Sequence, residues 1–202
     1  MNPSRRRLVC GVAGFMALAG CDRLTGKDAG PTFHFTDITG AEFARKLDLP
    51  DVDGRPRTLA DWKGKVTVVF FGYTQCPDVC PTTMAELAQI RTLMGADGDK
   101  LQTVFVTIDP ERDTAEILKA YVANFGPGVA ALRGNAEQTA AAAKEFKVFY
   151  AKVPGRTPGS YTMDHSAASF VFDTAGRVRL YVPYGGDNKN FAADLRQLVA
   201  AG

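Results

Sequence analysis

Two apolar runs of strand length dominate the pattern of this chain. Residues 65–73 (Lys-Val-Thr-Val-Val-Phe-Phe-Gly-Tyr) and 101–108 (Leu-Gln-Thr-Val-Phe-Val-Thr-Ile) are rich in β-branched and aromatic side chains. Neither alternates cleanly with polar residues, so both read as buried strands. Between them Pro81-Thr82-Thr83-Met84-Ala85-Glu86-Leu87 opens a helix expected over about residues 82–95. Thr83 and Glu86 have capping-box spacing; Pro81 as first helical residue with Cys80 at the cap is the other reading. Residues 114–125 repeat at helical period and stop at Gly126-Pro127, and residues 137–146 form the next helix. An extended segment at 148–153 leads into a Pro/Gly loop at 154–163. Residues 166–172 and 177–182 then flank Asp173-Thr174-Ala175-Gly176 as a β-hairpin, and residues 190–200 close as an amphipathic helix. Upstream, residues 33–43 and 49–59 read as short strands or turns, with Asp53-Gly54 as a hairpin turn.

Strand–helix–strand–helix followed by a hairpin and a helix is the thioredoxin-like order, an α/β fold with a parallel and an antiparallel half. The expectation is one domain over residues 33–202, a central mixed sheet flanked by helices. About 170 residues suffice for one full core.

The N-terminus has a different character. Arg5-Arg6-Arg7 precedes an uncharged apolar stretch, Leu8 to Ala19, which ends at Leu18-Ala19-Gly20-Cys21. A basic start and a short apolar segment make a secretory signal, expected over residues 1–20 and too short for a comfortable membrane span. Leu-Ala-Gly-Cys resembles a bacterial lipobox, which implies lipidation of Cys21. Polar, Gly-containing residues 21–32 would then tether the domain at the periplasmic face of the cytoplasmic membrane. Asp22, directly after Cys21, resembles an inner-membrane retention signal of some bacteria.

That reading changes the charge and the cysteine count. The whole chain carries a formal net charge of +2; without residues 1–20 it keeps 21 basic and 22 acidic residues, a charge of −1. No basic patch with interleaved aromatics argues for nucleic acid. Of four cysteines, Cys10 falls in the signal and Cys21 at the lipid site, leaving Cys76 and Cys80. One pair so close in sequence closes too small a loop to staple a fold. Its value is chemical. The thiols stand between a buried strand and a helix N-terminus, where free N–H groups and positive potential favour thiolate. Their spacing is C-x-x-x-C, one residue longer than a thioredoxin pair, and it permits a Cys76–Cys80 disulfide when oxidised.

Only two histidines exist, His34 and His165. His34 lies near the tether and is expected at the surface. His165 follows the Pro/Gly loop that, in a thioredoxin-like sheet, rises beside the redox helix. Two thiolates and one imidazole make a soft, low-coordinate site that suits Cu(I) and also holds Cu(II). Structural zinc wants four protein ligands, the fourth here to come from Asp164, Met163 or outside.

Three segments carry a family resemblance: Phe71-Gly72-Tyr73-Thr74-Gln75-Cys76-Pro77-Asp78-Val79-Cys80-Pro81-Thr82-Thr83, Thr107-Ile108-Asp109-Pro110-Glu111-Arg112-Asp113-Thr114, and Tyr161-Thr162-Met163-Asp164-His165-Ser166. In this order they resemble the Sco/SenC family, from about Phe35 to the C-terminus. The resemblance implies a thioredoxin-like fold, one copper (Cu(I), Cu(II) or both) on Cys76, Cys80 and His165, and help in assembling the copper centre of cytochrome c oxidase. Many relatives have His where this chain has Gln75. The implied partners are the copper-receiving oxidase subunit, other periplasmic copper carriers and thiol reductants. Asp109, at the end of the second buried strand, reads as an outer partner of the ligands or as a turn cap. Asp164 reads as the group orienting His165 or as a cap of the strand entry. Asp78 reads as loop structure, and Tyr73 and Phe71 as core and site rim.

Two mechanisms fit these residues. A metallochaperone would bind copper through all three ligands and release it by exchange. A thiol–disulfide oxidoreductase, or a redox sensor on the same fold, would use Cys76 and Cys80 as attacking and resolving thiols, with His165 dispensable. A peroxidase needs an arginine beside its reactive cysteine; none lies close to Cys76 in sequence, and the reading stays open to an arginine that folds into place from elsewhere in the chain.

Overall fold

The computed structural model describes residues 32–202, of which Phe33–Gly202 is one compact unit. The expected signal, the lipidation site Cys21 and nearly all of the tether lie outside the described residues. Among the described residues no helix is long and apolar enough to cross a membrane.

The two apolar runs become the strands β4 (Val66–Gly72) and β5 (Leu101–Thr107), each buried at every position. Earlier come β1 (Thr36–Asp37) and a small hairpin of β2 (Asp48–Pro50) with β3 (Pro56–Thr58). Its turn contains Gly54, whose φ of +80° suits glycine. A helix α1 (Val79–Leu93) joins β4 to β5, and α2 (Ala115–Ala123) joins β5 to β6 (Val129–Leu132). These three strands are parallel, as crossover helices require. After α3 (Ala136–Glu145) the chain forms an antiparallel ribbon of β7 (Tyr150–Pro154) and β8 (Tyr161–His165). The hairpin β9 (Ala168–Phe172) and β10 (Val178–Pro183) adds antiparallel to β4, and α4 (Asn188–Ala200) packs against α1. The main sheet runs β1-β10-β9-β4-β5-β6. Expectation and fold agree: a single-domain α/β thioredoxin-like unit with a mixed sheet.

Two local expectations are corrected, and one strand had no expectation. Helix α1 starts at Val79, with Thr82 N–H donating to the Asp78 carbonyl at 3.1 Å. Thr83 and Glu86 therefore form no capping box, and the Thr83 hydroxyl is buried without a partner. Pro81 fits inside the first turn because N–H groups there have no helical acceptor. The Pro/Gly loop shrinks, since Tyr161-Thr162-Met163 belongs to β8. Strand β6, unread from the sequence, pairs along the open side of β5.

Aromatic rings fill the core. Phe146, at the end of α3, is fully buried and meets Phe71, Phe170 and Phe172 with centroids 5.0, 5.2 and 6.0 Å away. The edge of the sheet is tied by a buried acid. Asp194 of α4, 0% exposed, accepts N–H groups from His34 and Phe35 and the His34 Nδ1 contact at 2.7 Å. His34 is thus half-exposed and paired, and its partner anchors the chain just before β1.

Replacing Asp194 with Ala strands two backbone donors. The expected cost is about 2–3 kcal/mol, read as a lower urea midpoint at unchanged m-value.

Candidate metal centre

The site forms where β4 ends. Gly72 closes the strand, and Tyr73 to Asp78 make the loop into α1, so Cys76 lies in the loop and Cys80 in the first helical turn. Cys80 is 0% exposed, whereas Cys76 is half-buried; both thiols are free. The Cys80 N–H donates to Cys76 Sγ at 3.4 Å, which aims a helix-terminal donor at that sulfur. Burial pushes the Cys80 thiol far up.

Close packing at Gly72 seats the Cys80 sulfur. A Cβ built there would lie 2.9 Å from Cys80 Sγ and 3.0 Å from a Phe105 ring carbon. The strand end must be bare for the thiol to reach the site.

His165, the last residue of β8, brings the third donor from 85 positions away. Its Nε2 stands 3.4 Å from Cys80 Sγ, and its Nδ1 stands 2.9 Å from the Ser166 carbonyl. A carbonyl only accepts, so Nδ1 carries the proton and Nε2 offers its lone pair to the thiols. Tyr73 and Phe70 rings meet the imidazole edge-on, 5.9 and 6.2 Å between centroids. Burial lowers the His165 pKa. The donor atoms of Cys76, Cys80 and His165 all lie within 4.8 Å of one another, and no other group of three such residues occurs among the described residues. Trigonal coordination at bond lengths of about 2.0–2.3 Å needs donors roughly 3.5–4 Å apart, so small side-chain movements close the set. A cleft of about 320 Å³, edged by Tyr73, Cys76, Pro77, Asp164 and His165, opens it to solvent.

The remaining predicted residues fall around this core. Asp109 is 1% exposed and does not contact the thiols; it binds the Arg112 guanidinium and accepts the Tyr161 hydroxyl at 2.8 Å. Burial and that bond push Tyr161 up to about 12. Asp164 is exposed, and the group bonded to His165 Nδ1 is the Ser166 carbonyl. Met163 is buried, while Gln75 and Asp78 are exposed. Arg112 is an arginine folded toward the site. It stacks 3.6 Å from the Tyr161 centroid; its Nε and Nη1 donate to Asp109 and the Tyr161 carbonyl, while Nη2 is buried without a partner.

Asp113 was not singled out by its sequence context. Fully buried, it accepts the Thr74 N–H at 3.1 Å and the hydroxyls of Thr74 and Thr107. It therefore clamps the cysteine loop to the end of β5. Burial raises its pKa. No local pattern reveals it, since its partner Thr74 is 39 residues away.

A family model described as SCO1/SenC matches residues 30–200. The mouse "Protein SCO2 homolog, mitochondrial" is 34% identical over 157 residues, 77% of this chain and 62% of the relative, so the chain spans under two thirds of that protein. Copper-bound ScoI from Bradyrhizobium japonicum is similar with a TM-score of 0.68 and 38% identity, covering 76% of this chain and 97% of that one. Apo Sco1 from Thermus thermophilus gives 0.73 and 35%, covering 84% and 99%. A thioredoxin-like domain with a dithiol–imidazole cluster is thus the class. The chain belongs to the SCO1/SenC family.

Two outcomes follow from the geometry. Because burial depresses the His165 pKa, the folded state refuses a proton that the unfolded chain accepts near pH 6.5. The stability advantage of wild type over His165→Ala should be full above about pH 6.5 and shrink as pH falls through the folded value, seen in urea midpoints at pH 7.5 and 5. Asp113→Ala should free the loop, raising amide exchange at Thr74 and the alkylation rate of Cys76, at a stability cost of about 1–3 kcal/mol.

Proposed function

We propose that this chain is a periplasmic copper metallochaperone that serves assembly of the copper centre of cytochrome c oxidase. The observation that carries the reading is the convergence of two thiols and an Nε2 lone pair within 4.8 Å. Soft sulfur donors with one imidazole favour copper over hard cations. Support comes from copper-bound ScoI of Bradyrhizobium japonicum at 38% identity and from copper-bound yeast Sco1 at 30%. The Sco family is one of cytochrome c oxidase assembly proteins. Copper is cargo in this reading: Cys76, Cys80 and His165 take one ion, and a partner's ligands displace them. The receiver is the copper-accepting oxidase subunit, with other periplasmic copper carriers and thiol reductants upstream. Lipidation at Cys21 and residues 21–32 as tether would keep the domain at the periplasmic face of the cytoplasmic membrane.

A second reading, thiol–disulfide exchange, is favoured by one observation. Cys76 is accessible beside a helix N-terminus while Cys80 is buried behind it. That is the layout of an attacking and a resolving thiol.

Copper titration of the reduced chain separates them. The expected result is one copper per chain, lost in the Cys76→Ser/Cys80→Ser double variant. His165→Ala should weaken binding by more than the roughly 10–100-fold that loss of an outer partner costs. Affinity should also fall with pH, as the thiols must release protons. Full-strength binding in His165→Ala, or none in the reduced wild type, sinks the metallochaperone and leaves thiol exchange in front.

A further inference from the structure

Tyr73 touches every member of the donor set. Its carbonyl accepts the Cys76 N–H at 3.3 Å, which shapes the cysteine loop. Its own N–H donates to the Cys80 sulfur. Its ring meets the His165 imidazole edge-on, 5.9 Å between centroids and 86° between planes. Its hydroxyl lies between the Met163 N–H and the Cys76 sulfur, bonded to both. The residue is 2% exposed, although it stands in the wall of the cleft that opens the site. A ring alone would fill that wall as well. A buried phenol also needs partners for its hydroxyl, and here one of them is a sulfur of the donor set.

The chemistry of the groups fixes which way each bond runs. A backbone N–H only donates, so Met163 occupies a lone pair of the Tyr73 oxygen. The single phenolic proton is left for Cys76, whose sulfur accepts once it is a thiolate. The Cys80 N–H reaches the same sulfur at 3.4 Å, so Cys76 Sγ collects two donors. Cys80 Sγ collects one backbone N–H and faces the unprotonated Nε2 at 3.4 Å. Met163 stands two residues before His165 on β8, so the hydroxyl links the strand of the imidazole to the front thiol. Hydrogen bonds to a metal-bound thiolate tune the potential of the metal. They stabilise the more electron-rich state of the site, which is Cu(I) rather than Cu(II).

We propose that Tyr73 is a positioning residue of the copper site: its hydroxyl donates to Cys76 Sγ and biases the bound ion toward Cu(I). This rests on the metallochaperone reading, to which it adds the oxidation state that the site prefers. The bias acts through Cys76, since the hydroxyl supplies no ligand atom to the set.

Tyr73→Phe keeps the ring, its edge on His165 and both main-chain bonds, and removes only the hydroxyl. The full chain, with its thiols reduced, is titrated with Cu(I) and separately with Cu(II) against competing chelators. In Tyr73→Phe the ratio of Cu(I) to Cu(II) affinity should fall about tenfold, which is about 59 mV in the one-electron copper couple. The thiolate-to-Cu(II) absorption band should move to lower energy. A meta-fluorinated tyrosine placed at Tyr73, a stronger donor of the same shape, should move ratio and band the opposite way. Arg112→Lys, which loosens β8 at Tyr161, should weaken both oxidation states alike and leave the band in place. Ratio and band of wild type in Tyr73→Phe overturn the proposal. So does a parallel loss of both affinities with an unmoved band, which makes the hydroxyl a strap for β8 alone. A fluorinated chain that fails to shift, or shifts with Tyr73→Phe, overturns it as well. Absence of copper binding in the wild type strikes the metallochaperone reading itself, and is read separately on the same samples.

Discussion

The site depends on holding a two-stranded ribbon against a sheet to which it does not belong. β7 and β8 pair only with each other, and such a ribbon is marginal alone. What docks it is a pair of side chains bonded to its outward backbone groups, Arg112 donating to the Tyr161 carbonyl and the Tyr73 hydroxyl accepting the Met163 N–H. Met163 adds a buried side chain between them. These contacts carry His165 to within 3.4 Å of Cys80 Sγ. Tyr73 serves twice, since its ring also meets the imidazole.

The acids of the segment Asp109 to Asp113 work behind that docking. Asp109 holds Arg112 in place, and Arg112 in turn holds β8. Asp113 holds the cysteine loop through Thr74 and joins it to β5 through Thr107. One short segment after β5 thus positions both halves of the donor set, the thiols by Asp113 and the imidazole by Asp109. Burying two carboxylates so close is costly, and the raised Asp113 pKa records it. Several donors aimed at each carboxylate offset that cost.

How much of this could be read from the chain depends on distance along it. β4 and β5 announce themselves because strands buried on both faces need no alternation. Cys76, Cys80 and the His165 segment were legible as chemistry, and their order implied the family. The start of α1 misled because Pro81, Thr83 and Glu86 are all start signals, yet all lie inside the helix. Proline marks a first turn, not a first residue. β8 did carry a signal, the alternation of Tyr161, Met163 and His165 with exposed Thr162 and Asp164, but it was masked by the prolines and glycines before it. β6 is short, with two alanines, and becomes a strand because β5 offers it an edge. Asp113 clamping Thr74 and Ser166 orienting His165 are tertiary facts with no local signature.

The two sulfurs are unequal, and that inequality is the deepest constraint on what the site can do. Cys80 sits at the back, against Gly72 and beside the imidazole, with its thiol strongly disfavoured as an anion. Cys76 sits at the front, edging the cleft, with a helix-terminal N–H on its sulfur. A cation held by all three would be gripped from behind by Cys80 and His165 and released from the front. In the metallochaperone reading an incoming ligand would meet Cys76 first, and exchange would proceed one bond at a time. In disulfide exchange the same asymmetry makes Cys76 the attacker and Cys80 the resolver. Both chemistries therefore share the front door. What separates them is the back wall, where an Nε2 lone pair facing a buried sulfur adds nothing to thiol exchange and completes a soft metal site.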